Sequence, residues 1–488
     1  MAVRLTAVPR SGAWRAPARG ERPVAGKRSA QYRTGEEGTV SVREDLHKTL
    51  NYLRRNGLSD TWIAARERLR ARADGEECSD APASEEELAA QRDAWQRLSR
   101  GEAPESVLGP ACAGRTAPKI SVLCPAYETR RVYLEQLLRS LEAQTYGLWE
   151  FILADASESR GVEEAARPFL ERDPRIRYVH LPVNGGISRN TNAAAQYATG
   201  EYVAFLDHDD FLAPDALFEA AGGILRTDCE ILYTDEDKCD ESAERFFEPN
   251  RKPDFDYDYL LSNNYICHLL VMKRGLFLAL PLRERFDGAQ DYDLLLRAPK
   301  TRICHVPRVL YHWRTHPGST AGDPGNKSYA AEAGKNALEE YLSSHGIDAE
   351  VRHSRHRGFY DVIYRPDIFT ARPDVGVTGG KITDWRRRVV GGQLREDGSV
   401  EFLGRDERES GPMHRMDTRH DCAAVDVRCM RIRPELRGLY QEIFGSSYDA
   451  HVLLPEVDYT AQSLAFCRRA AALGYRIVWD PEMVLRLS

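Results

Sequence analysis

A chain of 488 residues is too long for one ordinary core and implies two or three domains. Its composition, 42% hydrophobic and 29% charged, is that of a globular protein, and a net charge of -7 excludes a bulk field suited to nucleic acid. No stretch reaches the ~18 uninterrupted apolar residues of a membrane span. The nearest, YICHLLVMKRGLFLAL, is broken by Lys273 and Arg274. No apolar core region of a secretory signal follows Met1–Thr6, and the ten cysteines form no CxxC pair. Reduced thiols and a cytoplasmic location are expected.

In chain order, the first 34 residues are basic, with Glu21 as the single acid, and rich in Pro, Gly and Ala. They read as a disordered tail (1–40). The alternative is a contact with anionic lipid at the inner face of the cell membrane. Residues 41–117 read as a helical segment. Leu46, Leu50 and Leu53, then Trp62, Ile63 and Leu69, recur at helical spacing, and SEEEL offers a capping box from Ser84 to Glu87.

At residue 119 the texture changes. KISVLCPAY, WEFILADAS, IRYVHLP and EYVAFL read as four buried strands. Between them lie helical patterns: Leu134, Leu137, Leu138 and Leu141; residues 161–171; and Ile187, Thr191, Ala194, Ala195 and Ala198, closed by Gly200. This alternation predicts an α/β fold, a mostly parallel sheet with helices on both faces. Ligands of such sheets bind beyond the strands' carboxyl ends. Those ends carry Pro125–Glu128, Asp155, Asn184–Gly186 and Asp207–Asp210.

The last group poses a physical question. Closely packed carboxylates repel one another unless a cation or water meets them. In extended chain Asp207 and Asp209 share a face and His208 points away. Two such carboxylates suit Mg²⁺ or Mn²⁺, with phosphate oxygens filling other positions. A plain acidic turn before a helix opened by Pro214 is the competing reading.

The run from SVLCPAY through NGGISRNTNAAAQYATGEYVAFLDHDD resembles the family-2 glycosyltransferases of GT-A fold, in the bacterial branch for O-antigen, rhamnan and other cell-surface polysaccharides. LYTDEDK, GAQDYDLLLR and LYHWRTHPGSTA continue the likeness to about residue 350. The resemblance implies inverting transfer of a sugar from a nucleotide diphosphate, UDP or dTDP. It implies a nucleotide pocket lined by Pro125, Tyr127, Glu128 and Asp155, with Asn184, Gly185 and Asn190 near the sugar and phosphates. Asp207-His208-Asp209 matches the family's D-x-D metal motif. Asp291, the last acid of a pair opening a helix, would be the base, with Asp293 the other carboxylate there. R-x-H-x-x-S is matched by Arg314, His316 and Ser319, implying a phosphate contact for Arg314 and a metal or phosphate role for His316. The acceptor would be a growing, lipid-linked glycan.

Other features stay open on this reading. Asp235-Glu236-Asp237 reads as a solvated turn or an acceptor-side cluster. FDYDYLLSNNY reads as core packing or a sugar platform. Residues 118–350 are expected to form the GT-A domain. Residues 351–488 echo its acceptor half without a D-x-D, with Glu456 and Asp458 as a mimic of the base pair, and read as non-catalytic. A nucleotidyl- or phosphotransferase on the same aspartates, or a glycan-binding subunit without turnover, would share most of these motifs.

Overall fold

The structure, a computed structural model, describes residues 61–70, 81–300, 302–316 and 324–487, together with Leu53 and Leu58. The chain divides into two units, Met1–Arg70 and Ala71–Ser488. In the first, residues 61–70 are helical. The expected basic tail, the turns around Leu46 and Leu50, and Ser319 lie outside the described residues.

In the second unit, the helix Glu85–Ser99 starts at the expected capping box. The Glu87 N–H donates to Ser84 Oγ at 3.2 Å, and the Ser84 N–H donates to the Glu87 carboxylate at 2.7 Å. The main sheet follows. Strands β1 (Ile120–Ala126), β2 (Trp149–Asp155), β3 (Ile176–His180) and β4 (Tyr202–Phe205) are parallel, in the order β3-β2-β1-β4. Every residue of β1 and β2 is buried, because helices cover both faces. Side chains alternate across the strand. Ile120, Val122 and Cys124 therefore pack with Leu134, Leu137 and Leu138 on one side, while Leu123 packs with Ala194 and Ala195 on the other.

Beyond β4 the sheet departs from parallel pairing. β5 (Phe211–Leu212) leaves the acidic turn and pairs antiparallel with β9 (Ile303–Arg314), Phe211 opposite His312. β6 (Ile231–Cys239) lies parallel to β9 and is flanked by β7 (Phe246–Asn250). β8 (Leu270–Lys273) runs antiparallel between β4 and β6. β9 thereby reaches the edge of the acidic turn from the far side of the sheet. The helix Pro324–Ser344 follows.

Residues 349–487 add further sheets. β10 (Ala349–His353) and β11 (Tyr360–Tyr364) form a hairpin. β12 (Val375–Thr383) pairs antiparallel with β13 (Val389–Gly391), and β14 (Gln393–Leu394) starts a separate small ribbon. β15 (His420–Asp421), β16 (Ala424–Val425) and β17 (Met430–Ile432) lead through helices to β18 (Arg476–Arg486), which runs parallel to β12. Val377, Val425, Tyr440, Phe466 and Trp479 fill a core of their own. Among the described residues no helix is long and apolar enough to cross a membrane.

The stretch 255–265 joins these sheets to the first. Tyr257, Tyr259 and Tyr265 are buried. Tyr259 Oη donates to the Met413 carbonyl at 2.5 Å, and the Asp421 N–H donates to Asp256 Oδ1 at 3.0 Å. Its aromatic side chains are core, not an open platform. At the centre lies a buried ion pair, Arg372 Nη1 to Asp258 Oδ1 at 3.0 Å. A buried charge stripped of its partner is costly. Arg372→Met should therefore lower stability by about 3–5 kcal/mol, and Arg372→Met with Asp258→Asn by much less. Thermal unfolding of the two variants checks this.

Glu150 on β2 is a second buried charge. It accepts from Ser121 Oγ at 2.6 Å, the Thr199 N–H at 2.6 Å and Lys119 Nζ at 3.1 Å. Burial pushes its pKa up, but these donors outweigh burial and bring it to about 2. The folded value lies below the unfolded one, near ~4.3. The stabilisation is then present above that pH and is lost as pH falls toward 2. Glu150→Gln should flatten the acid side of the stability curve across this window, read as the urea midpoint against pH.

Candidate active site

The expected site residues converge on the carboxyl edge of β1, β2 and β4. Ala126 stands beside Asp155 in the ladder, and the Leu206 N–H donates to the Leu123 carbonyl at 3.0 Å. Pro125 is buried within β1, while Tyr127 is 43% exposed at its end. Asp155 is fully buried. Its Oδ1 accepts from the Ser157 N–H at 2.9 Å and Oγ at 2.5 Å, and its Oδ2 from Tyr178 Oη at 2.9 Å. Glu128 takes a left-handed φ of 46°. Its carboxylate accepts from Ser159 Oγ at 2.6 Å and N–H at 2.9 Å, which hold its pKa below the usual range.

The Asn-Gly-Gly turn borders the same edge. Asn190 is buried, donates to Asn184 Oδ1 at 2.9 Å and accepts from the Gly185 N–H at 3.1 Å. Gly186 has φ +83°, and a Cβ there would lie 2.7 Å from Asp287 Oδ2. The backbone conformation is one that favours glycine. The turn is thus held against the loop that precedes Asp291.

Asp207–Asp210 do not continue the strand. β4 ends at Phe205, and the Asp210 N–H donates back to the Asp207 carbonyl at 3.2 Å, closing a turn. The period-two argument for the faces of Asp207 and Asp209 therefore does not apply, and side-chain direction is set by partners. The Asp207 side chain is 43% exposed, with His268 Nε2 3.7 Å away. His208 Nδ1 lies 2.9 Å from Thr129 Oγ1. Asp209 Oδ2 meets His316 Nε2 at 2.8 Å. Asp210 is buried, accepting from Tyr311 Oη at 2.6 Å and the Arg314 N–H at 2.7 Å. Burial, with the charges of Asp209 and Asp207, holds its carboxyl well above the usual range.

Arg314 stands behind this turn and does not face open space. It is wholly buried between the rings of Tyr133 and Phe211. Its Nε donates to the Asp209 carbonyl at 2.7 Å and its Nη1 to the Glu241 carbonyl at 2.8 Å. The expectation that it touches phosphate meets a residue already engaged in bracing backbone.

Asp291 lies at the start of the helix Gln290–Arg297 and accepts from Asn264 Nδ2 at 2.8 Å. Burial raises its carboxyl above the usual range, against the Asn264 hydrogen bond and the charge of His268. Asp293 is instead buried beneath the helix, bonded by Arg283 at 2.9 Å and Arg297 at 3.0 Å. Asp235, Glu236 and Asp237 are not a solvated turn. They lie buried in β6, and each meets a different histidine: His305 at 2.9 Å, His268 at 3.1 Å and His312 at 2.6 Å. Irregular register with β9 on either side of Asp235 lets successive residues find separate partners. Sequence reasoning missed His268, Lys252, Tyr311 and Asn264. The one signal available was a polar residue, His268, inside the apolar run ICHLLVM.

In the C-terminal part Asp458 accepts the Thr460 N–H at 2.9 Å, opening the helix Thr460–Ala472, and Glu456 is exposed. His356, His414 and Asp417 also cluster there. Asp417 already bonds Arg355 and His356, and the two imidazoles stack at 3.8 Å and 21°.

Residues 121–277 match the family model described as glycosyl transferase family 2. The chain therefore carries a glycosyl transferase family 2 domain. The sheet to which this domain contributes bears out the expected α/β class, with β1 to β4 parallel and with β5, β7 and β8 antiparallel to their neighbours. Three bacterial proteins are similar to the chain. An uncharacterized protein y4gI of Sinorhizobium fredii is 42% identical over 236 residues, covering 47% of this chain and 26% of that protein. The O-antigen biosynthesis protein RfbC of Myxococcus xanthus is 35% identical over 271 residues, 53% of this chain and 21% of that protein. A teichuronic acid biosynthesis glycosyltransferase, TuaG of Bacillus subtilis, is 30% identical over 156 residues, 32% of this chain and 62% of that protein. The chain thus spans only about a quarter of the length of the first two relatives.

The acidic turn of the family-2 domain depends on Arg314, whose planar fork reaches two carbonyls at once. A lysine carries its donors on a single nitrogen and cannot reproduce the two separate N–H positions of the guanidinium. Arg314→Lys should cost about 1–3 kcal/mol by leaving buried acceptors unmet, seen as a lowered melting temperature.

Proposed function

We propose that the chain transfers a sugar, with inversion, from a nucleotide-diphosphate sugar to a hydroxyl of a growing cell-surface glycan, and that the transfer depends on a divalent metal. The observation that carries this is the meeting of Asp209 and His316 at 2.8 Å beside the exposed Asp207. Residues more than a hundred positions apart present two carboxylates and an imidazole at one strand edge. This donor set, hard oxygens plus one nitrogen, fits Mn²⁺ or Mg²⁺, and Asp207 has an open face to offer. Asp207, Asp209 and His316 would hold the ion. Bound there, it would neutralise charge on the leaving diphosphate.

The protein's own residues supply the rest. Tyr127 and Glu128 border the nucleotide, and Asp155 keeps their loop in place through Ser157. The Asn184–Gly186 turn approaches the sugar closely because it lacks side-chain bulk. Asp291 takes the proton of the acceptor hydroxyl. Its raised pKa makes it a better base than an ordinary carboxylate, and such a group contributes typically 10²–10⁴-fold. A UDP or dTDP donor, a lipid-linked acceptor and a place at the inner face of the membrane belong to the same reading. The polysaccharide roles of RfbC and TuaG support it.

Release of nucleoside diphosphate from UDP-, dTDP- and GDP-sugars in the presence of Mn²⁺ tests the proposal. Asp207→Ala should abolish release, and Asp291→Asn should lower transfer by 10²-fold or more. Because the base must be ionised, the rate should fall as pH drops through the raised pKa of Asp291. Asn264→Ala removes a bond that lowers this pKa, so it should move the acidic limb to higher pH. Release of pyrophosphate instead would overturn sugar transfer, and full activity in Asp207→Ala would overturn the site.

A further inference from the structure

Behind Asp207 lies a chain of buried charge that the reaction itself does not require. The Lys252 side chain is fully buried. Its ammonium donates to Glu236 Oε2 at 3.3 Å and to the carbonyls of Ile266 at 3.3 Å, Cys267 at 2.5 Å and His268. Glu236 also accepts from Asn250 Nδ2 at 3.0 Å and meets His268 Nδ1 at 3.1 Å. Glu236, Cys267 and His268 group as metal ligands do, but the ammonium already supplies the positive charge among these oxygens. Burying an ammonium is unfavourable unless oxygens surround it, so its position is defined by these acceptors.

The carbonyl contacts clamp residues 266–268. His268 there has φ 55°, a left-handed conformation that costs a non-glycine residue of order 1–3 kcal/mol and persists only where surrounding structure holds it. In that conformation the imidazole stacks on Tyr311 at 4.6 Å and 20° and turns Nε2 toward Asp207 Oδ2, 3.7 Å away. Tyr311 also donates to Asp210, and the Asp207 N–H donates to Tyr311 Oη at 3.3 Å. One side of Asp207 is therefore bounded by a ring whose position is set two residues deep in the protein.

We infer that Lys252, Glu236 and His268 are positioning residues that fix the orientation of the Asp207 carboxylate toward the metal. Groups that orient metal ligands typically change metal affinity by 10–100-fold when removed. The inference rests on the proposed metal role of Asp207 and adds what makes that carboxylate selective in direction.

The test is Mn²⁺ affinity of the full chain, read from the electron paramagnetic resonance of free Mn²⁺ with UDP present, beside UDP affinity without metal. Asp207→Ala should lose the Mn²⁺ site. His268→Gln and the paired Lys252→Met/Glu236→Gln, which removes both charges together, should each weaken Mn²⁺ binding by 10–100-fold. UDP affinity without metal and the melting temperature of His268→Gln should stay near those of the parent chain. Excess Mn²⁺ should restore the rate of His268→Gln, a rescue that misfolding would not allow. If Asp207→Ala loses Mn²⁺ while His268→Gln and the paired variant bind it as the parent does, this inference falls and the metal site stands. If Asp207→Ala binds Mn²⁺ normally, both fall.

Discussion

Everything at the candidate site depends on how one turn tolerates its own charge. Asp207, Asp209 and Asp210 lie within four residues, and at close range their mutual repulsion would open the turn. Each meets a different partner. Asp210 is buried against Tyr311 and the backbone of Arg314, Asp209 faces His316, and Asp207 faces His268. The guanidinium of Arg314 lies beneath, sandwiched between two aromatic rings and bonded to the Asp209 carbonyl. Positive charge is supplied from behind, which leaves the front of Asp207 exposed.

This arrangement explains why β9 is long. It runs from Ile303 to Arg314, pairs with β6 along its length and with β5 at its end, and so brings Tyr311, His312 and Arg314 to the acidic turn. The three acids of β6 and the histidines opposite them form the next layer. They give this edge of the sheet a run of carboxylate–imidazole contacts with the carboxylates buried, where electrostatic interactions act more strongly than in water. Asp291, the proposed base, has its carboxyl raised by burial and bonded by Asn264, as such surroundings favour.

Much of this was legible beforehand. The four strands, their intervening helices and the gathering of polar residues at strand ends follow from period and punctuation, because each depends on neighbours close in sequence. The capping box at Ser84 is of the same kind. Errors arose where pairing partners are distant. The antiparallel β8, the short β5 and the irregular β6–β9 register carry little local signal. Asp235–Asp237 read as a solvated turn or an acceptor-side cluster, and the solvated turn fails because the three acids are buried and meet three histidines from other segments. Arg314 donates to two carbonyls and lies between two rings, partners that no spacing reveals.

By itself the sequence determined the α/β character of residues 119–205 and the set of carboxylates that crowd one strand edge. These are local properties of period, composition and motif. Only the tertiary structure decided which way those carboxylates point, which of them are buried, and that Lys252 and His268 stand behind Asp207. The reason is that charge in a protein interior is settled by whichever opposite charge or donor reaches it through the fold, and that distance is not written in the order of the residues.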